Sequence, residues 1–424
     1  MKPEPLVSIR DLRTYYSIRG SFADRLVGRE AGMVRAVDDV TLDIRKGEVL
    51  GLVGESGSGK TTLGRTLLGL VRATSGSIEF EGQEITRLPE REFRGLRRRM
   101  QVVFQDPHAS LNPAMTIGQA VGHPLEIHGI EKDRGKVRAR VSAALERVGL
   151  APAEQYLDKY PSDLSGGQKQ RAVIARAIIL NPVLLVADEP VSMLDMSVRA
   201  KILELMLALK QDFDLTYLYV THDLATAKFF CDRIAIMYLG RIVEIGPAES
   251  IYADPKHPYT QALLRAIPEP NPERSVPRDL PRGEVPDAAS PPLGCSFHPR
   301  CPRAFEPCGW ESRDLRDLLE QRWASRAGDP AVETEQRLLG DLDALLVPSS
   351  EVRWAPPKGV TAEETLALLE HIRADQPDEP LWRGVERLDA AGGRLRLDFH
   401  LPHDPHLEAE GDVEVACHLY HPPA

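Results

Sequence analysis

The sequence predicts an α/β protein: a mainly parallel sheet with helices on both faces, an inserted helical subdomain and a C-terminal, cysteine-containing α+β tail. Three observations carry this reading. Short apolar runs alternate with helix-compatible stretches, one long span between two of those runs shows helical spacing, and a proline-crowded segment precedes a tail of different texture.

Glu48–Val53 is an apolar run followed by a glycine-rich turn and the helix-compatible stretch Lys60–Leu70, which reads as strand, loop and helix. Val183–Ala187 (VLLVA) and Leu215–Val220 (LTYLYV) repeat the pattern, each leading through polar residues into a helical stretch. Strands alternating with helices form a parallel sheet buried on both faces. Between the first two runs, across roughly 88–180, Val137, Val141, Ala144, Leu145 and Val148 recur at helical spacing, so a mostly helical insertion is expected. Prolines 268, 270, 272, 277, 281, 286, 291 and 292 then crowd a span that can be neither helix nor central strand, and it is read as a linker. In the tail, Thr361 and Glu364 have the spacing of a capping box, and Leu395, Leu397, Phe399 and Leu401 alternate as in a half-buried strand.

Composition narrows the function classes. A chain of 424 residues has room for two or three domains, and its net charge of -10 argues against broad binding of a nucleic-acid backbone. The arginine-rich stretch Arg91–Arg99 is read as a solvated helix face. No window approaches the roughly 18 to 20 consecutive apolar residues of a membrane span, and Met1–Arg13 lacks a signal-peptide core, so a cytoplasmic chain is expected. Five cysteines in such a chain are thiols or metal ligands rather than disulfides.

The chemistry begins at GESGSGKT, the residues Gly54, Glu55, Ser56, Gly57, Ser58, Gly59, Lys60 and Thr61, with Thr62 next in line. It fits G-x-x-x-x-G-K-[ST] between an expected strand and helix. Glycines let backbone N–H groups close around phosphate oxygens, Lys60 adds a point charge toward the outer phosphates, and the Thr61 hydroxyl suits a magnesium ion. Asp188 and Glu189 end the apolar run VLLVA, where buried carboxylates need a cation or hydrogen-bond donors. Asp188 suits a magnesium ligand through water, and Glu189 suits the base that polarises an attacking water. LSGGQ, with Ser165, Gly166, Gly167 and Gln168, precedes the amphipathic stretch KQRAVIARAIIL and sets a hydroxyl and free glycine N–H groups at a helix start, a favourable place for an anion.

GESGSGKT, FQDP around Gln105, LSGGQ, VADEP and THD around His222 stand in the order and approximate spacing of ABC transporter ATPases, and the chain resembles that family. The resemblance implies a P-loop nucleotide-hydrolase fold of ABC type, with ATP and Mg2+ bound and ATP hydrolysed. It implies a catalytic set of Glu189, His222, Lys60 and Gln105, with Thr61, Gln105 and Asp188 toward magnesium. Tyr16 matches the aromatic that stacks on adenine, with Tyr15 as the competing choice. Gln105 matches the glutamine whose loop touches the membrane subunits, and Asp195 the aspartate that crosses to a partner ATPase. Ser165 should act in trans, on the nucleotide held by that partner. In SMLD, Ser192–Asp195, Met193 replaces the usual small residue, for which a local repacking is expected.

FQDPHASLNP, DEPVSMLD, MYLGRIVEIGP and HPYTQALL extend the resemblance to the oligopeptide and dipeptide import branch, and SGGQKQR with DEPVS favours the second of its two unlike ATPase subunits. The implied partners are a second ABC ATPase in a heterodimer, two transmembrane permease subunits and an extracytoplasmic solute-binding protein, with no nucleic acid. The implied position is peripheral, at the cytoplasmic face of the inner membrane. The alternative is a soluble ABC ATPase acting on nucleic acid or the ribosome, for which paired cassettes, a coiled-coil insertion or a basic linker would speak. A third reading, compatible with transport, makes the long tail a regulatory binding module. The expected divisions are 1–255 for the nucleotide-binding domain, 256–310 for the linker and cysteine tail, 311–410 for an insertion of unassigned role, and 411–424 for a returning segment.

Cys295, Cys301 and Cys308 follow a C-x5-C-x6-C spacing, and Cys417 stands far along the chain in VACHL. Three clustered thiolates and a distant fourth can ligate zinc or an iron-sulfur cluster. Similar tails in the peptide-import branch carry such cysteines, and that resemblance favours a 4Fe-4S cluster. Cys417 is expected to return through a hairpin of Arg394–Leu401 with Asp412–Leu419. Cys231, in FFCDRIAIM, is read as a core thiol.

Overall fold

The three apolar runs become strands with no solvent-facing side. The structure, a computed structural model, describes residues 4–18, 32–267 and 281–423. Prolines 268, 270, 272 and 277 of the expected linker lie outside the described residues. Two units are distinguished, Met1–Ala253 and Asp254–Ala424.

Among the described residues, the first unit holds two sheets. Strands β1 (Pro5–Ser17), β2 (Met33–Arg45), β3 (Val49–Val53), β4 (Ser75–Phe80), β5 (Gln83–Glu84), β6 (Met100–Val103), β7 (Leu184–Asp188), β8 (Thr216–Thr221), β9 (Arg233–Tyr238) and β10 (Arg241–Pro247) follow in chain order. An antiparallel sheet runs β2-β1-β4-β5, and the larger sheet carries the order β10-β9-β3-β8-β7-β6. In the larger sheet β6, β7, β8, β3 and β9 are parallel, and β10 returns antiparallel to β9. Every residue of β3, β7 and β8 is buried, as parallel strands covered on both faces require. The register aligns Val53 with Thr221 and Asp188 with Val220, so three strands deliver their C-terminal ends to one edge. In open parallel sheets that edge is where ligands bind.

Helices Ile117–Ile127, Arg134–Arg147 and Gly166–Ile178 pack on one another within the span expected to be helical. The span also contains β6, an edge strand of the main sheet. Four residues directly after a run of arginines are too short to display a period, so β6 was hidden in the sequence.

The second unit has its own small core. Helices Ser312–Ser325, Pro330–Leu339 and Ala362–Asp375 accompany a sheet of β11 (Glu351–Trp354), β12 (Val385–Ala391) and β13 (Arg394–Phe399) in the order β11-β13-β12. Thr361 caps the third helix through a reciprocal pair with Glu364, and that helix packs on β12 and β13. Leu395, Leu397 and Phe399 are buried as their alternation predicts, whereas Leu401 is 73% exposed because the strand ends before it. The expected hairpin of Arg394–Leu401 with Asp412–Leu419 is not formed. Gly392 and Gly393, with φ of 62° and 74°, make the tight turn that pairs β13 with β12 instead. The chain before Cys417 forms a separate hairpin of β14 (Glu408–Glu410) and β15 (Val413–Val415). Among the described residues no helix is long and apolar enough to cross a membrane.

Candidate active site and the cysteine cavity

The site is assembled at the C-terminal ends of β3, β7 and β8. The loop 54–59 turns from β3 into the helix Lys60–Leu67, and Gly59 holds a φ of 104° where a Cβ would stand 2.0 Å from the Ala36 carbonyl oxygen. Only glycine fits there. Lys60 is buried, and its Nζ donates to the carbonyls of Gly54 and Glu55 at 2.8 Å each and to Ser58 Oγ at 3.3 Å. Burial pushes the Lys60 ammonium pKa down, against the pull of Glu189 and Asp188.

Asp188, the last residue of β7, accepts a 3.0 Å hydrogen bond on Oδ1 from the Thr61 hydroxyl. Burial raises its carboxyl pKa even though Thr61 and Arg65 oppose the shift. Glu189 follows with a φ of 47°, a left-handed conformation that a glutamate adopts at a cost of order 1 kcal/mol or more. Its amide donates to the Val220 carbonyl at 2.9 Å, which ties the turn to β8. One carboxylate oxygen accepts from Gln105 Nε2 at 2.9 Å and the other meets His222 Nδ1 at 2.9 Å. Two distant pieces of sequence, one at Gln105 and one at Val220–His222, thus converge on Glu189.

Ser165 caps the helix Gly166–Ile178 in a reciprocal pair with Gln168. Ser165 and Gly166 are exposed, with Gly167 and Gln168 half-buried behind them. Asp195 begins the helix Met196–Phe213 and is exposed, as are Met193 and, at 85%, Met196. Met193 therefore requires no repacking within the chain. Of the two tyrosines, Tyr15 donates its hydroxyl to Asp38, while Tyr16 is 41% exposed.

Two supporting residues escaped the sequence reading. Arg176, on the helix that Ser165 caps, donates to the Ser110 carbonyl and so anchors the segment after Gln105. Arg199 donates to the carbonyls of Leu194 and Ser192, at 2.7 and 2.9 Å, and braces the loop that carries Asp195. Both are arginines one or more turns inside amphipathic helices, where pattern alone assigns them to a polar face.

The donor set fits a nucleotide's phosphate chain and its magnesium ion. A buried ammonium and backbone N–H groups suit the phosphates, and the Thr61 hydroxyl with the Asp188 carboxylate suits the cation. Glu189, held between an amide and an imidazole, is set to receive a proton from water.

The four tail cysteines meet. Cys295, Cys301, Cys308 and Cys417 line one small cavity of about 10 Å3 together with His257, Phe297 and His298. The volume suits about one water. The Cys295 amide donates to the Cys308 carbonyl at 2.9 Å, and β15 delivers Cys417. The ligating arrangement expected of an iron-sulfur or zinc site is absent: among the described residues no group of three or more His, Cys, Asp or Glu is set to hold a metal ion. The thiols pack there as small apolar groups. Burial, reinforced for Cys301 by Cys295, pushes the thiol pKa values of Cys301 and Cys308 up to about 12 and that of Cys295 up as well. Cys231 is buried in the first unit, its thiol also pushed up by burial.

Comparisons with known proteins agree with this geometry. The ABC transporter family matches residues 37–192, and the oligopeptide/dipeptide transporter C-terminal region matches residues 243–308. A putative peptide import ATP-binding protein of Brucella ovis is 46% identical over 318 residues, covering 75% of this chain and 96% of that protein. The oligopeptide transport ATP-binding protein AppF of Bacillus subtilis is 44% identical over 325 residues, covering 76% of this chain and 97% of its own length. Among solved structures, the dimeric ATP-binding cassette MJ0796 bound to ADP and Pi matches with a TM-score of 0.50 at 28% identity, over 57% of this chain and 98% of that one. With its buried lysine, its paired Asp188 and Thr61, and a glutamate held by Gln105 and His222, the chain belongs to the ABC transporter ATP-binding proteins, in the branch that carries the oligopeptide and dipeptide transporter C-terminal region.

Proposed function

We propose that this chain is the ATP-hydrolysing subunit that energises import of peptides or related small solutes through a membrane ABC transporter. The observation that carries the hydrolytic part is Glu189, at the end of a buried strand, with both carboxylate oxygens engaged by Gln105 and His222 beside the Asp188–Thr61 pair. Glu189 takes the proton of the attacking water, and His222 and Gln105 fix the orientation of its carboxylate. Lys60 and the backbone of 54–61 hold the phosphates; Thr61, Asp188 and Gln105 face the magnesium ion; Tyr16 stacks on the adenine. Ser165–Gln168 and Asp195 serve the site of a partner, in keeping with the exposure of Ser165, Gly166 and Asp195. The match at 243–308 and the peptide-import names of the relatives support the cargo class.

The assembly is a heterodimer of this chain with a second, unlike ATPase, carried on two permease subunits at the cytoplasmic face of the inner membrane and fed by a solute-binding protein. Action on nucleic acid finds no support among these relatives, which are named as transport or import proteins. The tail cysteines Cys295, Cys301, Cys308 and Cys417 hold a structural iron-sulfur cluster in this reading, with zinc as the competitor. Their convergence on one cavity supports it, and a cluster there requires the thiols to spread and ionise. Affinity purification of the tagged chain from its native membranes tests the assembly: two hydrophobic permeases and a second ATPase should accompany it, and peptide uptake should stop when the chain is deleted. Recovery with ribosomes or nucleic acid in their place would overturn the reading.

A further inference from the structure

The long tail contains a cleft that nucleotide chemistry does not use. It lies wholly within the second unit, has a volume of about 370 Å3 and is bounded by the first turns of the helix Ser312–Ser325, by residues 282–287 and by Glu379 and Leu381. The volume is that of a small-molecule pocket. Apolar surface comes from Val285, Pro292, Trp310, Leu318, Leu346 and Leu381.

The charges of the cleft are unequally satisfied. Its guanidinium groups are already engaged: Arg282 with Glu379 at 2.5 Å, Arg316 with Glu320 at 2.8 Å, and Arg313 with Glu311 and with the Ser290 and Pro291 carbonyls at 2.8 and 3.1 Å. Arg300 donates to the Arg282 carbonyl and lies over the Phe297 ring. The carboxylates are in excess. Asp314 accepts from buried His298 at 3.0 Å and from the Glu311 amide at 2.9 Å. Asp317, one turn further along the same helix face, adds a further negative charge to the cleft wall.

Glu311 is the decisive residue. Its side chain is 2% exposed, Oε1 accepts from Arg313, and the buried Oε2 finds no hydrogen-bond donor among the described residues. A buried acceptor without a donor costs roughly 1 to 3 kcal/mol, more when charged, so its retention on the wall of a cleft calls for a donor from outside. Burial raises the carboxyl pKa of Glu311. A cation in the cleft beside Glu311 relieves that cost.

We propose that this cleft binds a small organic ammonium ion, a primary amine with a short hydrocarbon body, whose N–H groups reach Glu311 Oε2 beside a wall made negative by Asp314 and Asp317, while its body lies on Trp310 and Leu318. Two sources share this chemistry: a free alkylamine or diamine, and the amino terminus of a short peptide. The proposal stands apart from the transported cargo and from the cysteine cavity.

Isothermal titration of the full-length chain with n-butylammonium chloride, sodium butyrate and butan-1-ol tests it, with leucylglycine and N-acetyl-leucylglycine as the peptide arm. The ammonium should bind at one site per chain while butyrate and butanol do not. Binding of the free dipeptide but not its acetylated form would assign the peptide source; binding of n-butylammonium alone would assign the free amine. Either supports the proposal. Glu311→Gln should weaken binding about tenfold or more, the scale of a charge-assisted hydrogen bond, and Asp317→Asn severalfold. Asp317 is exposed, so its variant carries the test if Glu311→Gln fails to fold. Equal binding of butanol and n-butylammonium, no ammonium binding, or unchanged affinity in both variants would overturn it.

Discussion

The site of the first unit and the core of the second treat their charges in opposite ways. In Met1–Ala253 the charged groups of the site stand at strand ends and make provisional contacts: Lys60 rests on backbone carbonyls, Thr61 on Asp188, and Glu189 on a glutamine and a histidine. In Asp254–Ala424 they are built into the core. Arg322 is 5% exposed and binds Glu335 at 3.0 Å and Asp375 at 2.9 Å, while Glu335 also accepts from Arg326 at 2.9 Å and from the Trp323 indole at 3.1 Å. That network joins the helices Ser312–Ser325, Pro330–Leu339 and Ala362–Asp375. The first unit already has fully buried parallel strands to hold it, so its polar groups remain available to a ligand; the smaller tail spends its own on cohesion. Glu311, with one buried oxygen left over, departs from the tail's pattern.

The sharpest break between the two classes should come from single carboxylates. Glu189→Gln keeps the shape of the side chain and both neighbours but cannot take a proton. Turnover in the assembled complex should fall by roughly two to four orders of magnitude with ATP binding retained, the usual scale for a lost general base. A steady-state ATPase assay with parallel nucleotide-binding measurements checks this, and near-normal hydrolysis would remove Glu189 from the role.

Glu335→Ala should act on stability instead. It leaves the buried Arg322 guanidinium with only the partly exposed Asp375, so the loss should approach the roughly 3 to 5 kcal/mol of breaking one side of a buried pair. Denaturant unfolding should register that loss, whereas the double replacement Arg322→Met with Glu335→Leu should recover most of it. If the single variant unfolds like the wild type, the network is ornamental and the comparison fails.

Acidity should separate the units by sign. Burial opposes ionisation of Asp398, yet hydrogen bonds from Arg353 and Arg396 prevail and hold its pKa below the ordinary 3.8. The unfolded chain then takes up the proton first, so the contribution of Asp398 is complete above pH 3.8 and drains away as pH falls through the lower folded value. Asp188 is the reverse: burial lifts it above 3.8, so folding favours its protonated form and the benefit is lost as pH rises through the folded value. Asp188→Asn should therefore melt higher than the wild type at pH 7 without nucleotide, by about 2 to 4 °C for an effect of 1 kcal/mol, with the gap closing toward pH 3. Asp398→Asn should melt lower at pH 7, its deficit also closing toward pH 3. Gaps of the same sign would refute the assignment.

The same division governs what the sequence discloses. The phosphate loop was legible because strand, glycines, lysine and helix are contiguous, and Asp188 and Glu189 because acids at the end of VLLVA contradict their surroundings. Ser165 with Gln168 and Thr361 with Glu364 were legible as local capping pairs. Pairing was not. Nothing in the alternation of Leu395, Leu397 and Phe399 names Val385–Ala391 as the neighbour, because that strand is mostly half-exposed and shows no period of its own. Arg176 and Arg199 were missed because their partners are backbone carbonyls, which leave no trace in residue type.

The smallest effect concerns the choice between adjacent tyrosines, which the sequence left open. Tyr15 is half-buried, its hydroxyl pKa pushed up to about 12 by burial and by the hydrogen bond to Asp38, and Asp38 in turn accepts from Arg241 at 3.1 Å. Its ring is part of the antiparallel sheet's packing. Tyr16 has an exposed ring on the opposite face of β1, since neighbours in a strand point to opposite sides. If Tyr16 stacks on the base, Tyr16→Ala should weaken ATP binding about tenfold, within the range of base–aromatic stacking, and leave GTP and ATP nearly equal, because a ring platform does not read the base edge. Tyr16→Phe should restore binding, as the stack needs the ring and not the hydroxyl. Tyr15→Phe should instead lower the melting temperature by a few degrees with nucleotide affinity unchanged, since it removes only the hydrogen bond to Asp38. Loss of affinity in Tyr15→Phe together with normal affinity in Tyr16→Ala would exchange the two roles and make the site's adenine platform a structural residue of the tail's kind.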